Sequence, residues 1–107
     1  MPTVNDILDR ARTMIDTHRD KASSVGARYR FVLSGEGSCT FILDLTEDPS
    51  VIVGEGEADC TIRVAAPDFV RMAEGEIDSR DLFFCGKLKV DGDMGLALKL
   101  KKTVVSG

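Results

Sequence analysis

The chain has 107 residues and a formal net charge of −4 at pH 7. This length supports one hydrophobic core, so we expect residues 1–107 to form a single domain. The acidic balance and the scarcity of aromatic residues, with one Tyr, five Phe and no Trp, argue against nucleic acid as a partner.

The location of the protein is indicated by the signals that the sequence lacks. Its start has no basic segment followed by an apolar run, and no run approaches the ~18 apolar residues of a membrane-spanning helix. We therefore expect a cytoplasmic protein.

The three cysteines, Cys39, Cys60 and Cys85, lack the spacing of a disulfide framework or a zinc site. We expect them to be reduced and mostly buried.

The first predicted element is an amphipathic helix that begins near Thr3. Thr3 and Asp6 have the spacing of a capping box, in which each residue satisfies the backbone of the other. An apolar stripe with helical spacing continues to about residue 20. Residues 21–27 are the only linker-like stretch and are predicted to join this helix to a sheet.

Four strands are predicted next, because the pattern changes to a period of two residues. The first two cover residues 29–33 and 39–45, and the Gly35-Glu36-Gly37 turn joins them as a hairpin. A short third strand covers residues 51–53, and a fourth covers residues 60–64.

The last part of the chain mixes helices with one strand. Pro67 and Asp68 are predicted to open a helix that Gly75 stops. A helical turn at residues 79–84, a strand at 88–90 and a helix at about 93–102 follow. Helices at both ends and between the last strands indicate an α+β fold with an antiparallel-rich sheet.

Residues suited to catalysis are scarce. The single histidine, His18, lies near a helix end, where a helix-capping role is more typical than a catalytic one. Neither Gly-Glu-Gly segment continues as a nucleotide-binding loop, and Asp91-Gly92-Asp93 lacks the further oxygen ligands of a calcium loop. Cys85 is predicted to be packed rather than reactive, with an enzyme using Cys85 as the last-ranked alternative. We expect no catalytic residue, metal or cofactor.

Three segments in register carry a family resemblance. They are residues 83–89 (FFCGKLK), residues 92–100 (GDMGLALKL) and residues 58–62 (ADCTI) followed by Asp68 and Phe69. Together they resemble the sterol carrier protein 2 domain, also called non-specific lipid-transfer protein. Cys85 stands where animal members carry glutamine, and Phe41 where some carry tryptophan, so the ligand preference stays open.

The resemblance implies a five-stranded, mostly antiparallel sheet covered by helices on one face, with an apolar tunnel and no catalytic site. The function implied is non-catalytic binding and transfer of fatty acid, fatty acyl-CoA, phospholipid, isoprenoid or sterol. The predicted lining consists of apolar residues on the strands and the later helices: Phe31, Leu33, Phe41, Leu43, Ile62, Val64, Phe69, Met72, Leu82, Phe83, Phe84, Met94, Ala97 and Leu98.

The same residues also have the pattern of an ordinary core. A dry, rigid cavity of at least ~300 Å³ would cost roughly 7 kcal/mol, comparable with the whole stability of a domain. We therefore expect the tunnel to hold lipid or water, or to collapse partly. The alternative function is a non-enzymatic assembly module of a lipid-metabolic complex with a filled core.

Basic residues gather near the end of the chain. Lys99, Lys101 and Lys102 are predicted to contact anionic membrane, while a solvated face is the competing interpretation. The oligomeric state stays open.

Overall fold

The computed structural model describes the backbone of residues 3–100 and the side chains of residues 3–98. Runs of helices and strands follow one another along the chain, in agreement with the α+β prediction. In chain order they are α1 (Val4–Thr17), α2 (Arg19–Ser23), β1 (Ala27–Ser34), β2 (Cys39–Leu45), β3 (Ser50–Val53), β4 (Cys60–Ala65), α3 (Ala66–Ala73), α4 (Ser79–Phe84), β5 (Leu88–Gly92) and α5 (Met94–Leu100).

The five strands form one sheet in the order β3-β2-β1-β4-β5. Strand β1 lies at the centre and pairs antiparallel with β2, so that Phe31 faces Phe41. On its other side β1 pairs in parallel with β4, where Phe31 lies beside Ile62. The remaining two pairs are antiparallel. The predicted five-stranded, mostly antiparallel sheet is thus confirmed, and its one parallel pair makes it mixed.

The first helix begins as predicted but ends earlier. The Thr3 hydroxyl accepts a bond from the Asp6 amide at 3.2 Å, and the Thr3 amide donates to the Asp6 carboxylate at 2.9 Å. The prediction of one helix to residue 20 is wrong, because the backbone leaves the helical region at His18 (φ −124°, ψ 49°) and α2 follows. The Thr17 hydroxyl donates to the Thr13 carbonyl at 2.9 Å, a bond that competes with regular helix geometry there.

One face of the sheet carries the core. Alternate residues of β1, from Ala27 to Leu33, are buried against helices that cover this inner face. Three rings lie at its centre: Phe31 stacks on Phe41 with centroids 4.9 Å apart, and Phe69 of α3 is tilted against both at 5.8 Å. The offset and tilted arrangements are those that aromatic pairs favour in cores.

The opposite, outer face of the sheet is charged. Arg28 of β1 pairs with Asp44 of β2 at 3.1 Å, and Arg63 of β4 pairs with Asp91 of β5 at 2.8 Å. The Arg63–Asp91 pair is exposed and contributes little free energy, whereas Asp44 of the other pair is half-buried. The two pairs show which face of the sheet is turned to water and which is turned to the helices.

Gly92 closes the sheet against the loop before β4. Its φ of +110° is unfavourable for residues with a side chain, and a Cβ there would lie 2.8 Å from the Asp59 carbonyl oxygen. Because Gly92 has no side chain, the end of β5 lies close to the backbone of Asp59, and α5 begins next to it.

Candidate functional site

Most of the predicted lining lies together in the buried layer between the sheet and the helices. The eight buried members belong to one contiguous apolar cluster: Phe31, Leu33, Phe41, Leu43, Ile62, Val64, Phe69 and Leu82. Met72 and Ala97 are half-buried and pack against that cluster. The sequence therefore identified residues that share one layer, and their contact with a ligand stays a prediction.

The other four predicted residues face solvent. Phe83 and Phe84 on α4, and Met94 and Leu98 on α5, are exposed, and Phe84 retains 83% of its accessible surface. Leu82 and Ala97 on the same two helices contact the core. Apolar side chains on α4 and α5 thus lie both inside and outside the buried layer.

Tyr29 joins α5 to the sheet and was absent from the predicted lining. Its side chain is fully buried, and its hydroxyl donates to the Leu96 carbonyl at 2.6 Å. Burial raises the pKa of Tyr29 to about 12, with smaller contributions from Cys60, Asp59 and Asp93. An inward tyrosine in a buried strand needs an acceptor for its hydroxyl, and this requirement was the signal in the sequence.

The cysteines are free thiols in three different environments. Cys60 is buried, Cys39 is half-buried and Cys85 is exposed. Burial, followed by the negative charges of Asp93, Asp91 and Asp59, raises the pKa of the Cys60 thiol. The prediction that Cys85 is packed is wrong, because α4 ends at Phe84 and the chain turns away from the core there.

One cleft lies on the outer face of the sheet, away from the apolar layer. This cleft of about 590 Å³ is lined by Arg28, Arg30, Thr46, Gly56, Glu57, Ala58, Asp59 and Thr61. Burial raises the pKa of nearby Asp44, but hydrogen bonds from Thr46 and Arg28 outweigh it and leave that pKa below its ordinary value. The outer cleft is polar, so it does not suit an oily ligand.

A second cleft of about 490 Å³ lies along α1, beside Arg10, Met14 and His18. It too lies outside the layer between sheet and helices. The predicted tunnel therefore does not coincide with either of these clefts, and the predicted lining residues pack against one another instead.

Residues 3–100 contain neither a cluster suited to a metal ion nor a helix suited to a membrane. No group of three or more His, Cys, Asp or Glu side chains in this range could hold a metal ion. Asp91 pairs with Arg63, and the Asp93 carboxylate accepts from the Gly95 amide at 2.8 Å at the start of α5. Within the same range, no helix combines the length and apolar character needed to cross a bilayer.

The predicted membrane contact falls outside what the structure describes. Lys101 and Lys102 lie beyond residue 100, and Lys99 is described by its backbone alone. That contact therefore stays a prediction.

Comparison with known sequences identifies close similarity over most of the chain. A model of the SCP-2 sterol transfer family matches residues 4–105. Hydroxysteroid dehydrogenase-like protein 2 from Xenopus laevis is 43% identical over 89 residues, which cover 79% of this chain and 21% of that protein. The Homo sapiens protein of the same name is 40% identical over 87 residues, with 78% and 21% covered. This chain spans about a fifth of the length of these curated relatives.

Comparison with solved structures supports the fold. Sterol carrier protein 2 like 2 from Aedes aegypti has a TM-score of 0.80 at 23% identity, with 94% of this chain and 95% of that chain covered. The apo form of sterol carrier protein 2 from Yarrowia lipolytica has a TM-score of 0.79 at 24% identity, with 95% and 91% covered. Sterol carrier protein 2 from Aedes aegypti, solved with palmitate, has a TM-score of 0.78 at 16% identity, with 99% and 98% covered.

Proposed function

Because this chain belongs to the SCP-2 sterol transfer family, we propose that it holds an apolar lipid chain between its sheet and its helices and transfers it without chemical change. The observation that carries the proposal is the match of the family model to residues 4–105, a range that includes every described residue of the apolar layer. The lipid tail would be buried among residues already dehydrated in the core. No catalytic role is assigned to any residue.

Both described clefts lie outside the apolar layer, so we expect lipid binding to open that layer. The short helices α4 and α5 are the parts that we expect to move, because α4 carries exposed Phe83 and Phe84 beside buried Leu82, and α5 carries exposed Met94 and Leu98 beside half-buried Leu96 and Ala97. The bond from Tyr29 to Leu96 is the polar contact that α5 would break on moving away from the sheet. Opening at α5 would expose the cluster around Phe31 and Ile62.

The energetics permit this exchange. Burying each methylene group gains ~0.8 kcal/mol, so a sixteen-carbon chain supplies roughly 13 kcal/mol before losses. Association and ordering cost ~4–15 kcal/mol, and opening the apolar layer adds a further cost. The balance suits weak to micromolar binding, which a carrier needs in order to release its cargo.

Fatty acid is the ligand that we propose first. The Aedes aegypti sterol carrier protein 2 with this fold was solved with the C16 fatty acid palmitate, and a single acyl chain demands the least opening of the layer. Fatty acyl-CoA, phospholipid, isoprenoid and sterol are the other candidates. Native mass spectrometry of freshly purified protein, followed by organic extraction, would identify the bound species by mass.

A matched pair of methionines tests the site. Met94 of α5 and Met14 of α1 are similarly exposed, at 42% and 44% of their surface, and circular dichroism checks that both aspartate variants fold. We expect Met94→Asp to lose most binding of a fluorescent fatty acid and Met14→Asp to bind as the wild type does. Equal binding by all three proteins would contradict a site at α5.

One observation favours a second candidate function, an assembly module of a lipid-metabolic complex. Neither of the two described clefts enters the apolar layer, and the matched part of the curated relatives is about a fifth of their length. This function predicts that the purified chain takes up no fatty acid, acyl-CoA, phospholipid, isoprenoid or sterol while remaining folded. Uptake of any of these would favour the carrier.

We propose a cytoplasmic location for the protein under either function, and cell fractionation tests this location.

A further inference from the structure

The buried apolar cluster contains a single hydroxyl group. Among the described members of this cluster, Tyr29 alone carries an oxygen or nitrogen atom in its side chain. The residue is fully buried, and its hydroxyl donates to the Leu96 carbonyl of α5 at 2.6 Å. A buried hydroxyl without an acceptor destabilises a protein, so this donor requires an acceptor in every state that keeps it buried.

The acceptor belongs to a helix that we expect to move. When α5 leaves the sheet to admit a lipid, the Tyr29 hydroxyl loses the Leu96 carbonyl while the ring stays on β1 among apolar neighbours. A hydrocarbon offers no acceptor in exchange, whereas a lipid with an oxygen atom at this place restores the bond. The free energy of opening therefore depends on the head group of the ligand.

Tyr29 is followed along β1 by a row of apolar side chains. The next two inward residues are Phe31 and Leu33. At ~3.3 Å per residue, Phe31 lies ~7 Å and Leu33 ~13 Å further along the strand. Phe41 and Phe69 pack against Phe31, so the layer is apolar in this direction. A lipid whose head group meets Tyr29 would bury its tail over these rings.

The charges near Tyr29 favour an uncharged head group. Burial first, and then neighbouring groups that include Asp59 and Asp93, raise the pKa of the Tyr29 hydroxyl. The Asp59 carboxylate accepts from the Arg28 amide at 3.0 Å. The Asp93 carboxylate accepts from the Gly95 amide at 2.8 Å, so backbone contacts hold both acids in place. A further carboxylate beside them is disfavoured, whereas an ester carbonyl, a hydroxyl or a protonated carboxyl group carries no charge.

We propose that Tyr29 selects the lipid by donating its hydroxyl to an uncharged oxygen atom of the head group once α5 has opened. The preferred ligand is then a long apolar chain that ends in an ester, an alcohol or a protonated acid. A hydrocarbon of the same size is disfavoured. The inference rests on the proposed function, because it assigns the polar end of the same lipid site. Tyr29 acts there as a specificity-determining residue and changes no covalent bond.

Competition between two lipids of equal size tests this selection. The protein is equilibrated with a dispersed mixture of methyl palmitate and nonadecane, which have the same number of non-hydrogen atoms, and is then re-isolated. Gas chromatography of an organic extract gives the ratio of bound ester to bound hydrocarbon. We expect Tyr29→Phe to lower this ratio about tenfold relative to the wild type, the effect of one ordinary hydrogen bond.

Leu96→Ala is the control for a more loosely held α5. It removes apolar contacts of a half-buried side chain but keeps the Tyr29 hydroxyl and its backbone acceptor. It should change the uptake of both lipids together and leave their ratio as in the wild type. Circular dichroism checks that both variants fold. Equal ratios in the wild type and Tyr29→Phe, or the same fall in Leu96→Ala, would overturn the proposal.

Infrared spectroscopy of the wild type tests the bond directly. The carbonyl stretch of bound, isotope-labelled methyl palmitate should lie below its frequency in hexane, because the carbonyl accepts a hydrogen bond. Tyr29→Phe should return it toward the frequency in hexane. A wild-type frequency equal to that in hexane contradicts the bond. Uptake of both lipids with no change of ratio contradicts this inference alone, whereas uptake of neither contradicts the carrier function as well.

Discussion

The inner face of the sheet and the two C-terminal helices use the same kinds of apolar residue in opposite ways. On the inner face, phenylalanine, leucine and isoleucine side chains are buried and pack against one another. On α4 and α5, Phe84, Met94 and Leu98 meet solvent. A domain that needed only a core would gain nothing from exposing such residues. The difference separates a layer that stabilises the fold from a region that we propose for binding.

The largest test of this comparison is the truncation of one ring from each region. Phe31→Ala removes a buried ring stacked between neighbours and should lower the free energy of unfolding by about 3–5 kcal/mol. Phe84→Ala removes an exposed ring and should change it by less than about 0.5 kcal/mol. Urea denaturation followed by circular dichroism measures both. Similar losses in the two variants would show that α4 is part of the core.

A smaller loss is expected where the two regions join. Gly92→Ala places a Cβ against the Asp59 carbonyl at a φ of +110° and should cost about 2–3 kcal/mol. Gly86 also has a positive φ, but no atom lies within 4 Å of the Cβ position, so Gly86→Ala should cost about 1–2 kcal/mol. Thermal unfolding of both variants gives the comparison, and equal costs would mean that the contact with Asp59 is unimportant.

The hydroxyl of Tyr29 tests how α5 is held. Tyr29→Phe leaves the ring but removes the bond to the Leu96 carbonyl, at a cost of about 1–2 kcal/mol. We expect amide hydrogen exchange to quicken in α5 and to stay unchanged in α1. Thr17→Val, which removes a hydroxyl bond within α1, serves as the control and should leave exchange in α5 unaltered. Faster exchange throughout the protein would indicate general destabilisation instead.

The last prediction is that the free energy of unfolding depends on alkaline pH, with a loss that begins small. Burial raises the pKa of Tyr29 from an ordinary value of 10.0 to about 12, so the unfolded chain releases this proton first as the pH rises. The stability that the neutral hydroxyl contributes is complete below pH 10 and is lost as the pH rises toward 12. Denaturation of the wild type and Tyr29→Phe across this range should show a steeper loss in the wild type. Parallel curves would contradict the assignment.

Much of the fold could be predicted because period-two alternation determines which residues of a strand face the core. Tyr29, Phe31 and Leu33 were placed correctly on this basis. The parallel pairing of β1 with β4 depends on tertiary packing, which no local sequence pattern indicates. The break at His18 was missed for a different reason, since the apolar stripe continues through it while the backbone does not.

The candidate site was harder to predict than the fold. The sequence shows three consecutive apolar residues, Leu82, Phe83 and Phe84. It does not indicate how far a helix of six residues extends past the core. The exposure of Phe84 and Cys85 depends on where the Gly86 turn directs the chain, which is a property of the packed molecule. The bond from Tyr29 to α5 likewise joins residues far apart in sequence.

The central position of β1 has a consequence for the order of folding. Its partner β2 follows directly as a hairpin, a contact that forms within microseconds, whereas β4 pairs residue 60 with residue 29, so a long loop must close first. We expect the nucleus to contain the β1–β2 hairpin and the rate-limiting step to be the capture of β4. During synthesis, the central strand would keep one bare edge until the fourth strand had left the ribosome.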